Sequence, residues 1–236
     1  GFNLIRRING EIREKYPWKF TIAEDLHSLD FITARVVDGG LGYSSQWDAD
    51  FVHPIRETLI AQHDADRNMD TVAAALLANY NGDAFQRVIY TESHDEVANG
   101  KARVAEEIAS GDVNNFFSKK RATLGIALVL TAPGVPMIFQ GHELLEDRWF
   151  SDDDPIDWSR FSEFKGITKL HRDLIHLRLD RHGYTRGLTG HQTGLLAVDN
   201  ERKLIAFQRY ESGAPGDNTV VVMNFSNDPI ADYHIS

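Results

Sequence analysis

The sequence predicts an α/β fold with a short all-β continuation, on three observations. Helical and strand patterns alternate over roughly the first 185 of 236 residues, the order expected of a parallel sheet with crossover helices. Past Gly187, β-prone runs follow one another with no helical pattern between them. The strand-like runs of the first part end in polar clusters rich in carboxylates. These patterns divide the chain near 184–190, into an α/β part over residues 1–186 and an all-β part over residues 187–236.

Residues 2–16 carry apolar side chains at Phe2, Ile5, Ile8 and Ile12, a helical spacing that Pro17 ends. Residues 19–23 form a short β-prone run leading into Glu24 and Asp25, and residues 38–42 are a glycine-rich turn. A helix is expected over 47–60, starting near Asp48, and another over 68–80, with Met69, Val72, Leu76 and Tyr80 in register. The run 87–91 reads as a strand ending in Glu92, Ser93, His94, Asp95 and Glu96. An apolar helix over 116–131 is broken at Pro133–Pro136 and followed by a buried strand over 137–140. Residues 164–180 form an amphipathic helix with Ile167, Leu170, Leu174 and Leu177 on one face. Strands follow at 195–198, 204–207 and 220–223, with a Gly/Pro/Asp-rich linker over 212–218.

Composition excludes several classes. Lys and Arg number 25 against 35 Asp and Glu, a net charge of −10. A nucleic-acid binder would instead show a basic stripe. The 13 Phe, 7 Tyr and 4 Trp supply a core that a disordered chain lacks. The longest apolar run, Leu124–Leu130, falls far short of the ~20 residues of a membrane span. With no cysteine there are no disulfides or thiolate metal sites, which fits a reducing, cytoplasmic setting. The histidines lack metal-ligand spacing, and Asp152–Asp154 reads as a solvated acidic loop, because no EF-hand spacing follows it.

In parallel β/α architectures the C-terminal strand ends converge on one mouth. Glu24 and Asp95 would lie at two such ends, and paired carboxylates suit acid/base chemistry on a sugar. His94 adds a hydrogen-bonding group beside Asp95. Taken alone, Glu24 fits a helix-capping or salt-bridged carboxylate equally well, and His94 a core histidine.

The strings themselves are more specific. Thr21-Ile22-Ala23-Glu24-Asp25 and Glu92-Ser93-His94-Asp95-Glu96-Val97, followed by Gly100-Lys101, resemble two signature regions of the α-amylase superfamily of glycoside hydrolases. Asp38–Tyr43 with Trp47 resembles the intervening segment of glycogen (1,4-α-glucan) branching enzymes. Residues 133–143 resemble the seventh-strand region, and Pro155-Ile156-Asp157-Trp158 a motif beyond it. The resemblance covers essentially the whole chain, in order. It implies strands five to eight of a (β/α)8 TIM barrel followed by part of an antiparallel β-sandwich. It implies Glu24 as general acid/base, with surroundings that raise its pKa. Asp95 becomes a catalytic carboxylate that holds sugar hydroxyls and favours an oxocarbenium-like transition state, and His94 a donor to the same sugar. Tyr43 and Trp47 are candidate stacking platforms, as is Trp149, though core packing is the better explanation of each taken alone. Lys101 and Arg103 could meet glucan hydroxyls or simply be solvated. His142 and Glu143 could line a distal sugar subsite or serve the strand end.

A retaining glycosidase also needs a nucleophile. In this superfamily it is an aspartate in a Gly-Phe-Arg-x-Asp-like string ending the fourth strand, and no such string precedes the first helix here. The expectation is therefore an α-1,4-glucan-active enzyme, foremost a retaining branching enzyme that transfers to a 6-hydroxyl. Its C-terminal catalytic half would be inactive alone and liable to self-associate through open sheet edges. The alternatives are an α-amylase-like hydrolase and a non-catalytic glucan-binding module. The implied partner is an α-glucan such as glycogen; no cofactor, metal, nucleic acid or membrane is implied.

Overall fold

The computed structural model describes residues 1–98, 100–214 and 216–235; Pro215 of the predicted linker and the terminal Ser236 lie outside the described residues. Helix α1 (Phe2–Lys15) leads into four short strands: β1 (Ile22–Ala23), β2 (Ser45–Trp47), β3 (Arg87–Ile89) and β4 (Val135–Pro136). They form one sheet in the order β1-β2-β3-β4, every pair parallel. Chain order and sheet order coincide because each crossover carries helix: α2 (Asp30–Thr33), then α3 (Ala49–Ile60) with α4 (Met69–Leu77), then α5 (Val104–Ile108) with α6 (Phe116–Thr131). Helices α7 (Arg160–Glu163) and α8 (Lys165–Arg178) follow β4. The chain then forms an antiparallel sheet of β5 (Gln192–Asp199), β6 (Leu204–Tyr210) and β7 (Thr219–Asn224).

Local chemistry sets the helix starts. Asp48 accepts from the Asp50 N–H and begins α3, Asn68 accepts from Asp70 and Thr71 and begins α4, and Asn115 accepts from Phe117 and begins α6. Helix α6 occupies the predicted span. Two strands differ most from expectation. Residues Ser45–Trp47, where no strand is predicted and a helix is expected from residue 47, form β2, a central strand whose Ser45 and Gln46 are fully buried. A buried polar strand of three residues has no apolar run to betray it. The fourth strand lies at Val135–Pro136, not 137–140. Pro136 donates nothing to a ladder but tolerates an edge position, and the Met137 N–H then bonds the Ile89 carbonyl at 2.9 Å.

The main core joins both sheets. Phe51, Ile55 and Leu59 of α3, Met69, Val72 and Leu76 of α4, and Ile126 and Val129 of α6 pack in one cluster with Ile205, Phe207, Met223 and Phe225. Gly125 lets α6 come this close, since a Cβ there would stand 2.6 Å from the Leu59 side chain. The β5–β6 turn is bound to the first part by a cap: Asn200 Oδ1 accepts from the Met69 N–H at 2.7 Å, and its Nδ2 donates to Asp70 at 2.6 Å. Arg67, fully buried, donates to the Phe225 carbonyl at 2.6 Å and the Ala61 carbonyl at 2.9 Å.

A shared core unfolds as one unit. Truncating Phe207 to Ala is expected to cost about 3–5 kcal/mol, and Asn200→Ala about 0.5–2 kcal/mol through the lost cap. Urea unfolding followed by far- and near-ultraviolet circular dichroism should give coincident transitions in both variants. A β5–β7 transition separable from that of the helices would refute the shared core.

Candidate active site

Glu24 directly follows β1, and the loop after β3 carries His94 and Asp95 over the same end of the sheet. His94 Nε2 lies 3.5 Å from Glu24 Oε1 and 3.6 Å from Asp95 Oδ1, and one polar atom from each of the three falls within 4.8 Å of the others. All three are open to solvent, with side-chain exposures of 55%, 44% and 50% for Glu24, His94 and Asp95. The enclosure expected around Glu24 is thus not supplied by the described residues.

Aromatic rings form the floor. Trp47 ends β2 and meets His94 edge-on at 5.9 Å and Tyr90 at 5.1 Å. Phe150 approaches the other side of His94 at 6.2 Å and itself packs on Phe139 at 5.6 Å. Trp47 is half-buried and packs on Val52, Val88 and Tyr90. Tyr43 precedes β2, at the far end of that strand, and packs with Ala23, Ile32 and Leu41. It shares with Glu24 and Asp25 a cavity of about 420 Å³ along the outer edge of β1.

The other predicted residues do not join the cluster. Lys101 donates to both oxygens of Glu96 at 3.0 Å. Arg103 is buried, paired with Glu92 at 3.1 Å. His142 is buried, its Nε2 3.7 Å from Glu92 and 3.5 Å from Thr91 Oγ1. Glu143 lines a separate cavity of about 460 Å³ with Gln140, His171 and His176, between β4 and α8. Trp149 is 61% exposed and Asp152–Asp154 are exposed, as the reading of a solvated loop expects.

Two carboxylates and an imidazole this close are also a geometry in which a metal could sit. A ligating histidine ordinarily donates its second ring nitrogen to a fixed acceptor. Among the described residues no acceptor faces Nδ1 of His94, whose side chain is open to solvent.

Sequence reasoning missed the groups that hold this mouth together. Asp48, buried beneath it, pairs with Arg87 at 2.6 Å and accepts from Tyr80 at 3.1 Å. Burial raises the Asp48 carboxyl, opposed by Arg87 and the Tyr80 hydroxyl. Glu92 shows the opposite balance. Burial disfavours its charge, but His142, Arg103 and the Val104 N–H outweigh burial and hold its carboxyl below the usual range. Glu146 lies in the loop after β4, its side chain 3% exposed. Burial opposes its charge too, but the Arg148 side chain and the Arg148 and Asp157 N–H groups lower it to about 2.

The Glu146 shift makes a pH prediction. Its folded value lies below its ordinary value of 4.5, so its stabilisation is full above that pH and fades as pH falls through about 2. The drop is worth on the order of 3 kcal/mol. The stability gap between wild type and Glu146→Gln, measured in urea, should shrink as pH falls from about 6 to about 2. A gap constant over that range would contradict the assignment.

No family model matches the chain. Among curated proteins it is 27% identical to the 1,4-alpha-glucan branching enzyme of Mesorhizobium japonicum, over 99% of this chain and 31% of that protein. It is 28% identical to that of Xanthomonas euvesicatoria, over 98% of this chain and 31% of that protein. The chain therefore spans about a third of the length of these relatives. The crystal structure of an Anoxybacillus α-amylase shares the fold over 96% of this chain and 45% of its own, with a TM-score of 0.65 at 17% identity. The chain is thus similar along nearly its whole length to 1,4-alpha-glucan branching enzymes, and it shares with an α-amylase a parallel β/α framework that here carries Glu24 and the His94–Asp95 pair at one mouth.

Proposed function

We propose that the polypeptide bearing this chain is a retaining 1,4-α-glucan branching enzyme, and that Glu24, His94 and Asp95 form part of its reaction centre. The observation that carries this reading is their convergence at the strand ends, with His94 Nε2 within 3.5 and 3.6 Å of the two carboxylates. The family relation supplies the chemistry. In this reading Glu24 protonates the departing glycosidic oxygen and then deprotonates the acceptor 6-hydroxyl. Asp95 and His94 hold hydroxyls of the sugar whose anomeric carbon takes on positive charge. A further carboxylate is required as nucleophile, and no aspartate or glutamate of this chain completes the Gly-Phe-Arg-x-Asp-like string. We infer that the four parallel strands are half of an eight-stranded barrel, that residues 187–236 open a β-sandwich, and that the chain by itself does not turn over glucan.

Apolar side chains concentrate near the outer edge of β1, where Phe2, Leu4, Trp18, Phe20 and Ile22 are 45–72% exposed. Edges β1 and β4 each lack a second neighbour among the described strands. In isolation, in this reading, two copies close these edges against each other.

Amylose incubated with the isolated chain should show neither new reducing ends nor α-1,6 linkages by proton NMR. With the whole gene product it should gain α-1,6 linkages. Turnover by the isolated chain that Glu24→Gln abolishes would overturn the inactivity, and reducing ends without α-1,6 linkages from the whole product would overturn branching. Light scattering of the isolated chain should give a dimer, and a monomer at high concentration would refute the edge pairing.

A further inference from the structure

The loop after β3 is closed by two nested ion pairs. Glu92 at its start pairs with Arg103, and Glu96 pairs with Lys101 inside that span. Both carboxylates are buried, at 2% and 3% exposure, whereas His94 and Asp95 between them face solvent. Glu92 spends its other oxygen on the Val104 N–H at 2.7 Å. Arg56 reaches the inner pair from α3, 3.6 Å from Glu96, and also pairs with Glu107 at 2.6 Å.

Arg103 does more than close its own loop. Its guanidinium donates to the Gln140 carbonyl at 3.0 Å and the Arg148 carbonyl at 3.1 Å, both in the loop after β4. It also lies over the Phe139 ring at 4.7 Å. Phe139 packs on Phe150, Phe150 packs on His94, and the Phe150 N–H bonds the Val97 carbonyl at 3.0 Å. The contacts thus form a ring from Glu92 through Arg103, Phe139 and Phe150 back to His94. A buried guanidinium with five fixed donors suits this task, because it satisfies a carboxylate and carbonyls of two loops at once.

We propose that Arg103 and Glu92 are positioning residues: together they register the loop after β3 against the loop after β4 and so set where His94 and Asp95 stand. Neither residue touches the solvent-facing cluster. Their effect passes through Phe139 and Phe150 to the His94 ring. Calling the position functional rests on the reading of His94 and Asp95 as sugar-binding groups, whereas the position itself does not.

The test is isotope-edited NMR on the chain, wild type against Glu92→Gln and Arg103→Lys. Lysine keeps the charge and the pairing with Glu92 but cannot donate to two carbonyls in the fork geometry. The expected result is loss of the nuclear Overhauser contact between the His94 and Phe150 rings in Glu92→Gln and its weakening in Arg103→Lys, with contacts among Phe51, Leu76 and Phe207 retained. A wild-type His94–Phe150 contact in either variant with an intact core overturns the proposal. Collapse of the core in both variants also overturns it, since the pair would then be a general determinant of folding. Maltoheptaose added to the wild-type chain separates the two readings. If the sugar leaves the His94 signals unmoved while the variants lose the ring contact, the proposed function fails and the positioning stands. If the sugar moves His94 while the variants keep the contact, the positioning fails and the function stands.

Discussion

The structure depends on buried guanidinium groups that satisfy backbone carbonyls where regular pairing runs out. The parallel strands are two or three residues long, so their ladders satisfy few backbone groups. The segments around them run through the interior, where an unpaired carbonyl is costly. Arginines fill these positions. Arg87 donates to Ala75 and Ala78 at the end of α4, Arg178 to Ala132 and Gly134 just beyond α6, and Arg209 to Thr131, the last residue of α6. Among the described residues neither Arg178 nor Arg209 pairs with a carboxylate, and burial lowers the pKa of both guanidiniums. The negative end of the α6 dipole and the carbonyls themselves compensate the charge. Arg103 is the member of this set that lies beside the candidate reaction centre.

This constraint explains why so little regular structure positions the site. Strand order places Glu24 and the β3 loop at one mouth, but the strands end before the candidate site residues begin. Asp95 stands six residues beyond Ile89, the end of β3. What carries it there is a loop held by Glu92, Glu96, Lys101 and Arg103. The division of labour is clear in burial: carboxylates 92 and 96 are turned inward and ion-paired, and the carboxylates of Glu24 and Asp95 are turned outward.

Much of this was legible in the sequence, and the misses have physical causes. Long elements with strong periodicity and good caps, such as α6 with Asn115 and α3 with Asp48, matched their expected spans closely. The three antiparallel strands are legible with ends short by up to three residues, since hairpin ends carry polar side chains that resemble turns. Strand β2 was invisible because Ser45 and Gln46 are polar yet fully buried, against the usual pattern. Glu24, His94 and Asp95 are singled out by their strings, and the structure brings them together. Lys101, Arg103, His142 and Glu143 were not brought to them, because long-range ion pairing decides where such side chains point and a single sequence does not display it. The same limit concealed Asp48 and Glu92, whose partners lie 39 and 11 residues away in Arg87 and Arg103.

The central claim is that the mouth formed by β1 and the β3 loop is a sugar site. The most direct measurement is a crystal structure of the whole gene product, with Glu24 replaced by Gln, soaked in a maltooligosaccharide. The account predicts a glucose ring with hydroxyls within hydrogen-bond distance of His94 and Asp95, and residue 24 facing a glycosidic oxygen. A glucan bound elsewhere on the molecule, with these three side chains touching only water, would contradict it.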